Sequence, residues 1–384
     1  MKIDKLKDMI QDCNINFLIG SGMSAPYLST LWNIEILLTE IAKDDTLEDD
    51  ERILIQTSLY KKFFDDVMKK NIQILKGRPS AKNVIKSYED FYSLINRLML
   101  LRRNKLLTKQ VNIFTTNIDI CLEKAIENKQ FEFNDGFNGR FSPKYDLSNF
   151  KKSIYKSSLH YGINSEIPVF NILKLHGSLT WSLYDKTIKC DTTLAQVRKV
   201  INSIPDEDES FIEITKDDEY SSVIAKLPID DIDNSTTSSF RLEYEKLPIV
   251  NPTKDKFRDT LLNQTYYELL RMYSNELEKE NSLLFVMGFS FADEHIKELT
   301  LRVANSNPTL IIIIFCHSSK AKKEIETNID ISKVKNNNII LESPTTSLKE
   351  DDEDILVDDF NYNFDTINNK IFKSILSKIE DNDE

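Results

Sequence analysis

Five short apolar runs punctuate this chain, and each stops abruptly. Asn16–Ile19 stops at Gly20-Ser-Gly22, Val111–Phe114 at Thr115-Thr-Asn117, and Val169–Leu175 at His176-Gly177. Leu283–Met287 stops at Gly288, and Thr309–Cys316 runs into His317. Largely apolar runs of this length read as strands buried on both faces. The stretches between them carry a helical period. Residues 256–279 place Phe257, Leu261, Leu269, Tyr273 and Leu277 four or eight apart, which predicts an amphipathic helix. A second helix is expected around Asp293–Val303. Strands alternating with helices predict an α/β fold with a doubly wound, Rossmann-like parallel sheet.

Three segments depart from that rhythm. Residues 31–110 read as mostly helical, with only Gly77 and Pro79 as breakers. That is too long for one crossover, so a helical insertion is expected. Residues 182–247 contain Asp206-Glu-Asp-Glu209, Lys216-Asp-Asp-Glu219 and Asn234-Ser-Thr-Thr-Ser-Ser239, the composition of a partly mobile surface insertion. Residues 1–349 then form the main domain and 350–384 an acidic tail. The tail spaces Phe360, Phe364, Ile367, Ile371, Ile375 and Ile379 along one helical face, with Lys370, Lys373 and Lys378 on others. Such a face packs either on its own domain or on another subunit.

Composition narrows the class. Of the net charge of −12, about −9 lies in residues 350–384, which hold 12 acidic and three basic side chains. The body is nearly neutral, and neither part has the basic balance of a nucleic-acid surface. Cys13, Cys121, Cys190 and Cys316 are far apart and form no CxxC pair. That argues against a disulfide framework or a cysteine zinc site and fits a reducing, cytoplasmic setting. The first residues, Met1-Lys-Ile-Asp-Lys-Leu-Lys-Asp8, lack an apolar signal core. The apolar run Leu310–Cys316 falls well short of the ~20 residues a membrane span needs, so no membrane association is expected.

Glycine is scarce: eight in 384 residues, about 2% against a usual 7% or so. Four of the eight sit at the strand ends, where ligands bind in parallel sheets. Gly20-Ser-Gly22-Met-Ser-Ala25 fits GxGxx[G/A] after a strand. Amides in such a turn, with Ser21 and Ser24 hydroxyls, can hold a phosphate; a tight turn with no ligand is the alternative. A dinucleotide dehydrogenase is not indicated, because Glu40, near the ribose-binding distance, lies in a helical run. Asn117 and Asp119 could orient a water or bind a carboxamide, or could simply cap a helix together with Thr115 and Thr116. His176 at a strand end is a proton carrier or a hydrogen-bonded structural residue.

In combination these segments resemble a known family. Gly20-Ser-Gly-Met-Ser24, Thr115-Thr-Asn-Ile-Asp119, Lys174-Leu-His-Gly-Ser178 and Gly288-Phe-Ser290 follow the order of the sirtuin NAD-binding core over about residues 12–320. The resemblance implies that Gly20, Ser21, Gly22 and Ser24 line the NAD diphosphate. It implies that Asn117 and His176 are the catalytic pair and that Asp119 faces the nicotinamide carboxamide, with Thr116 beside it. Gly288 and Ser290 would contact a ribose or phosphate, and Cys316-His317-Ser318 the adenosine side. Thr116 stands where deacylases of the family have glutamine, and Ala25-Pro-Tyr-Leu-Ser-Thr-Leu-Trp32 replaces their Pro-Asp-Phe-Arg stretch. The paired cysteines of their zinc ribbon are missing, so neither a metal nor acyl-lysine chemistry is expected.

The remaining half is similar to the sirtuin-like NAD hydrolases of bacterial antiphage defence, in particular the member that works with a HerA-type ring ATPase. That implies hydrolysis of NAD to nicotinamide and ADP-ribose, a homo-oligomer, and an ATPase partner. Two other readings stay open: a non-catalytic sensor of NAD or ADP-ribose, and an assembly subunit with a vestigial cleft.

Overall fold

The computed structural model describes residues 3–30, 33–204, 210–228, 235–251, 260–344, 349–350, 353–354 and 360–381. Asp206-Glu-Asp-Glu209, Asn234 and Phe257 lie outside them. Seven strands form the central sheet: β1 Asn14–Ile19, β2 Gln110–Thr115, β3 Phe133–Asn134, β4 Val169–Lys174, β5 Ser282–Met287, β6 Ile311–Phe315 and β7 Ile339–Glu342. Their order is β7-β6-β5-β1-β2-β4-β3, and every neighbouring pair is parallel. β4 and β5 are buried along their whole length, as expected of strands covered on both faces.

Alternate residues of the strands feed two cores. Phe17, Ile113, Phe170, Phe285 and Phe315 face one layer, which holds helices Ile3–Asp12, Lys82–Leu100 and Cys121–Lys129. Leu18, Phe114, Leu173, Val286 and Ile314 face the other, with helices Thr260–Leu277, Glu294–Ser306 and Ser319–Asn328. The α/β, doubly wound arrangement expected from the apolar runs is therefore present.

A polar ladder sets the strand register. Asn16, Asn112 and Asn171 are aligned across β1, β2 and β4. Asn112 Nδ2 donates to Asn16 Oδ1 (2.9 Å), and Asn171 Nδ2 donates to Asn112 Oδ1 (2.9 Å). Glu276 on helix Thr260–Leu277 accepts from Asn112 Nδ2 at 3.1 Å. A one-residue slip would break this ladder and turn each amide to the opposite, apolar layer, at the cost of unpaired buried polar groups.

The two inserted segments pack on each other. Helix Asp49–Phe63 and its extension meet helix Ser235–Tyr244 through the stacked Tyr60–Tyr244 pair (5.0 Å) and the edge-to-face Phe64–Phe240 pair (6.0 Å). Ile212 N donates to Ser58 Oγ (3.0 Å), and Tyr220 OH donates to Asp44 Oδ2 (2.6 Å). A small antiparallel sheet made of Phe137–Asn138, Lys144–Tyr145, Trp181–Tyr184 and Thr187–Cys190 contributes Trp181 and Ile188 to the second core.

The C-terminal segment closes the first layer. Ile367, Ile371, Phe372, Ile375 and Ile379 are buried in the same core as Phe17. Phe372 packs edge-on against Phe17 and Phe285, and Phe364 against Tyr88 at 4.7 Å. The apolar face of the tail is thus spent on its own domain. Ion pairs Arg97–Glu380 and Lys378–Asp4 rim the contact. No helix among the described residues is long and apolar enough to cross a membrane.

Candidate functional site

The chain leaves β1 for β2 on one side and later crosses back from β4 to β5 on the other. Connections therefore reverse between β1 and β5, the place at the carboxyl ends of the strands where doubly wound sheets form their ligand crevice. All four motif segments sit at this edge, on the adjacent strands β5, β1, β2 and β4.

The glycines explain their own positions. A Cβ on Gly20 would lie 2.3 Å from the Gly288 carbonyl oxygen, and one on Gly288 would lie 2.6 Å from Met23 N. The loops after β1 and β5 are in backbone contact, tied by Gly20 N to Met287 O (2.9 Å) and Gly22 N to Gly288 O (3.0 Å). Met23 N and Ser24 N donate to the carbonyls of Gly20 and Ser21 (both 3.1 Å). Among the described residues of this turn, Ser21 is the one whose amide bonds no backbone carbonyl. No α-helix starts here: Ser21–Met23 is a single 3₁₀ turn, and the next helix begins at Ile34. The helix N-terminus expected beside the glycines is therefore displaced down the chain.

Asn117, Asp119 and Ser24 form a buried hydrogen-bonded cluster. Asn117 Nδ2 donates to Gly20 O (3.1 Å), and Asn117 N donates to Thr115 Oγ1 (3.0 Å), whose hydroxyl donates to Ile19 O (2.7 Å). Asn117 Oδ1 is buried and without a protein partner. Ser24 Oγ donates to Asp119 Oδ2 (3.0 Å) and lies 2.9 Å from Tyr88 OH. Asp119 Oδ1 accepts from Cys121 N (2.9 Å). Both carboxylate oxygens of Asp119 are thus engaged inside the protein, where they order Ser24 and the start of helix Cys121–Lys129. Burial, reinforced by Asp119, pushes the Tyr88 hydroxyl and the Cys121 thiol well above their usual ranges, so both remain protonated.

His176 follows β4 at the crevice and is partly exposed. Its Nε2 lies 3.0 Å from Asp293 Oδ2, at an angle outside that of a good hydrogen bond. Asp293 also caps helix Glu294–Ser306, its Oδ1 accepting from Ile296 N (3.1 Å). Tyr266 stands 6.2 Å from the imidazole, ring to ring, and burial together with the Asp293 charge holds its hydroxyl well above the usual range. The segment before helix Thr260–Leu277 crosses this strand end: Val250 N donates to His176 O (2.9 Å), and Gly177 bridges Ile249. Gly177 has φ +77°, and a Cβ there would lie 2.1 Å from Pro248 O. Only glycine combines that conformation with that approach.

The remaining assigned residues lie at the same edge. Thr116 is half-buried next to Asn117, and Ser290 is half-buried, its carbonyl accepting from Asn328 Nδ2 (2.9 Å). A groove of about 500 Å³ between helices Thr260–Leu277 and Glu294–Ser306 is lined by Tyr267, Arg271, Ser274, His295 and Arg302, and by none of the strand-end residues. Three contributors were not recognised from sequence: Asp293, Tyr88 and Lys174. Asp293 lies three residues after Ser290, where a helix-capping aspartate is unremarkable. The four cysteines are free thiols, and the described residues contain no His/Cys/Asp/Glu group able to hold a metal ion. No protein-family model and no curated protein matches this sequence.

Proposed function

We propose that this chain is an NAD glycohydrolase working at the β1/β5 crevice. One observation carries the reading: Gly20–Ser24, Asn117, His176 and Gly288–Ser290, scattered along the sequence, lie on four neighbouring strand ends where the sheet reverses. That edge of a doubly wound sheet is where dinucleotides bind. The resemblance to sirtuin-like NAD hydrolases names the ligand.

The residues fit the chemistry. Asn117 is held through its Nδ2 and keeps a buried, unpartnered acceptor in Oδ1. Such an acceptor fixes the approach of a water molecule. The bond between the nicotinamide nitrogen and ribose C1′ breaks, its electron pair leaving with nicotinamide. The water oxygen bonds to C1′, and a proton passes to His176. Asp293, at 3.0 Å, stabilises the imidazolium that forms. Ser21 and the glycine turn hold the diphosphate, so that the oxocarbenium-like charge develops at a fixed place among oriented dipoles. Gly288 and Ser290 contact the ribose. The products are nicotinamide and ADP-ribose.

On this reading the enzyme depletes NAD in the cytoplasm of an infected cell. It acts without a metal, as a homo-oligomer with a HerA-type ring ATPase. The test is nicotinamide release from NAD, measured on the purified chain alone and with such an ATPase. Wild type is expected to turn over, and Asn117→Ala and His176→Ala each to lose about 100-fold or more with the circular dichroism unchanged. No release by wild type in either setting overturns the proposal, and so does near-wild-type turnover by either variant.

A further inference from the structure

Lys174, the last residue of β4, is a buried cation that the catalytic proposal leaves unused. Its side chain is 4% exposed. Its Nζ donates to the main-chain carbonyls of Asn117 (3.2 Å) and Asp119, and pairs with Glu123 Oε1 at 3.2 Å. An ammonium has three N–H donors, and these three contacts use them all. Lys174 therefore has no free donor for a substrate.

A buried ion pair is weak evidence of stabilisation, because desolvation offsets its Coulomb energy. Burial also raises the Glu123 carboxyl, with Lys174 opposing that rise, and Glu123 Oε2 has no partner. What the arrangement supplies is geometry. The carbonyls on either side of Ile118 converge on one charge, so the Asn117–Asp119 turn is bent around Nζ. The other restraints on Asn117 are neutral hydrogen bonds to Gly20 O, Thr115 Oγ1 and, at 3.5 Å, Ser24 Oγ. Charge-assisted bonds are about twice as strong. The turn is closed from the far side by Leu179 N donating to Ile118 O (3.0 Å) and Ile120 N donating to Asn71 Oδ1 (3.0 Å).

We propose that Lys174 is a positioning residue: it holds the Asn117–Asp119 turn in the shape that presents the Asn117 amide to the crevice, and so sets kcat rather than the affinity for NAD. This inference rests on the NAD-cleavage reading for its kinetic consequence, but not for its structural one.

The experiment compares the full-length wild type with Lys174→Met, which keeps the apolar stem and removes the donors. Displacement of a reacting group by about 1 Å costs on the order of 100-fold. Nicotinamide release is therefore expected to fall about 100-fold in kcat with KM within about twofold. Amide exchange at Ile120, Cys121 and Leu179 is expected to speed up while exchange in β1 and β5 stays unchanged. Should Lys174→Met not fold, Lys174→Gln, with a shorter stem and a single amide, is expected to show a smaller kcat loss at unchanged KM. Wild-type kcat in a folded variant overturns the assignment, as does a rise in KM that accounts for the whole loss. If wild type releases no nicotinamide, the NAD reading fails and the exchange measurement alone decides. Unchanged exchange at those three amides then refutes the role of Lys174.

Discussion

Replacing Gly20 by alanine tests whether the crevice is built on backbone contact. Gly20 has φ −104° and ψ 179°, a conformation any residue adopts, so the substitution carries no dihedral penalty. Its cost is purely steric. The new methyl would sit 2.3 Å from Gly288 O and 2.8 Å from Phe289 Cα. A carbon–oxygen contact needs about 3.3 Å or more, so the loop after β5 must retreat by about 1 Å. That retreat stretches the bonds from Gly20 N to Met287 O and from Gly22 N to Gly288 O, now 2.9 and 3.0 Å. Each is worth about 1 kcal/mol, and overpacking adds about 1–3 kcal/mol. Restricting the unfolded chain returns about 0.4–1 kcal/mol. The net expectation is a destabilisation of about 3 kcal/mol. Gly77→Ala is the matched control. Gly77 has φ +61° and nothing within 4 Å of its would-be Cβ, so it carries a dihedral cost of about 1–2 kcal/mol, less the same unfolded-state return. Equilibrium urea unfolding followed by circular dichroism gives both numbers on one scale. If Gly20→Ala is no worse than Gly77→Ala, the loops separate freely and the contact does not define the crevice.

Two further expectations follow from the packing. Phe364→Ala removes the ring that meets Tyr88 at 4.7 Å and Phe91 at 5.5 Å; unfolding should show a loss of about 3–5 kcal/mol, and a loss below 1 kcal/mol would mean the C-terminal segment is not part of the core. The Asp44 carboxyl is held down at about 2 by hydrogen bonds from Thr46 and Tyr220. Because its folded value is depressed, its contribution is present above the ordinary carboxylate range and is lost as pH falls toward 2. Wild type should therefore exceed Asp44→Asn in stability at neutral pH and converge with it near pH 2. A gap that does not shrink in an acid titration removes the link between Asp44 and Tyr220.

The buried strands were legible because parallel strands covered on both faces read as near-continuous apolar runs. Asn16–Ile19 and Leu283–Met287 match β1 and β5 closely. Helix 256–279 corresponds to Thr260–Leu277, with residues 252–259 outside the description. β3, at two residues, is too short to carry any period, and β7 starts after a polar asparagine run that hides it. In the 182–247 segment, charged and serine-rich stretches obscure Val197, Val200, Phe240 and Tyr244, which are buried against the helical insertion. Glycine scarcity marked the crevice because each of those glycines answers a long-range approach. The Asp293–His176 contact left no local trace, since both residues have an ordinary role in their own surroundings. Lys174 was hidden by its neighbours: a single cation closing an apolar run looks like the end of a strand, not like a group folded beneath a turn.

The packing of the C-terminal segment has a consequence in time. Residues 364–379 cover the aromatic face of Phe17 and Phe285, and Phe364 backs the tyrosine that touches Ser24. On a ribosome adding about 5–20 residues per second, these residues are made long after β1. Phe17 on β1 waits for all the residues between it and Phe364 before that face is sealed. A chain interrupted before Phe364 leaves Phe17 and Phe285 without the ring of Phe372 against them, and Tyr88 without that of Phe364.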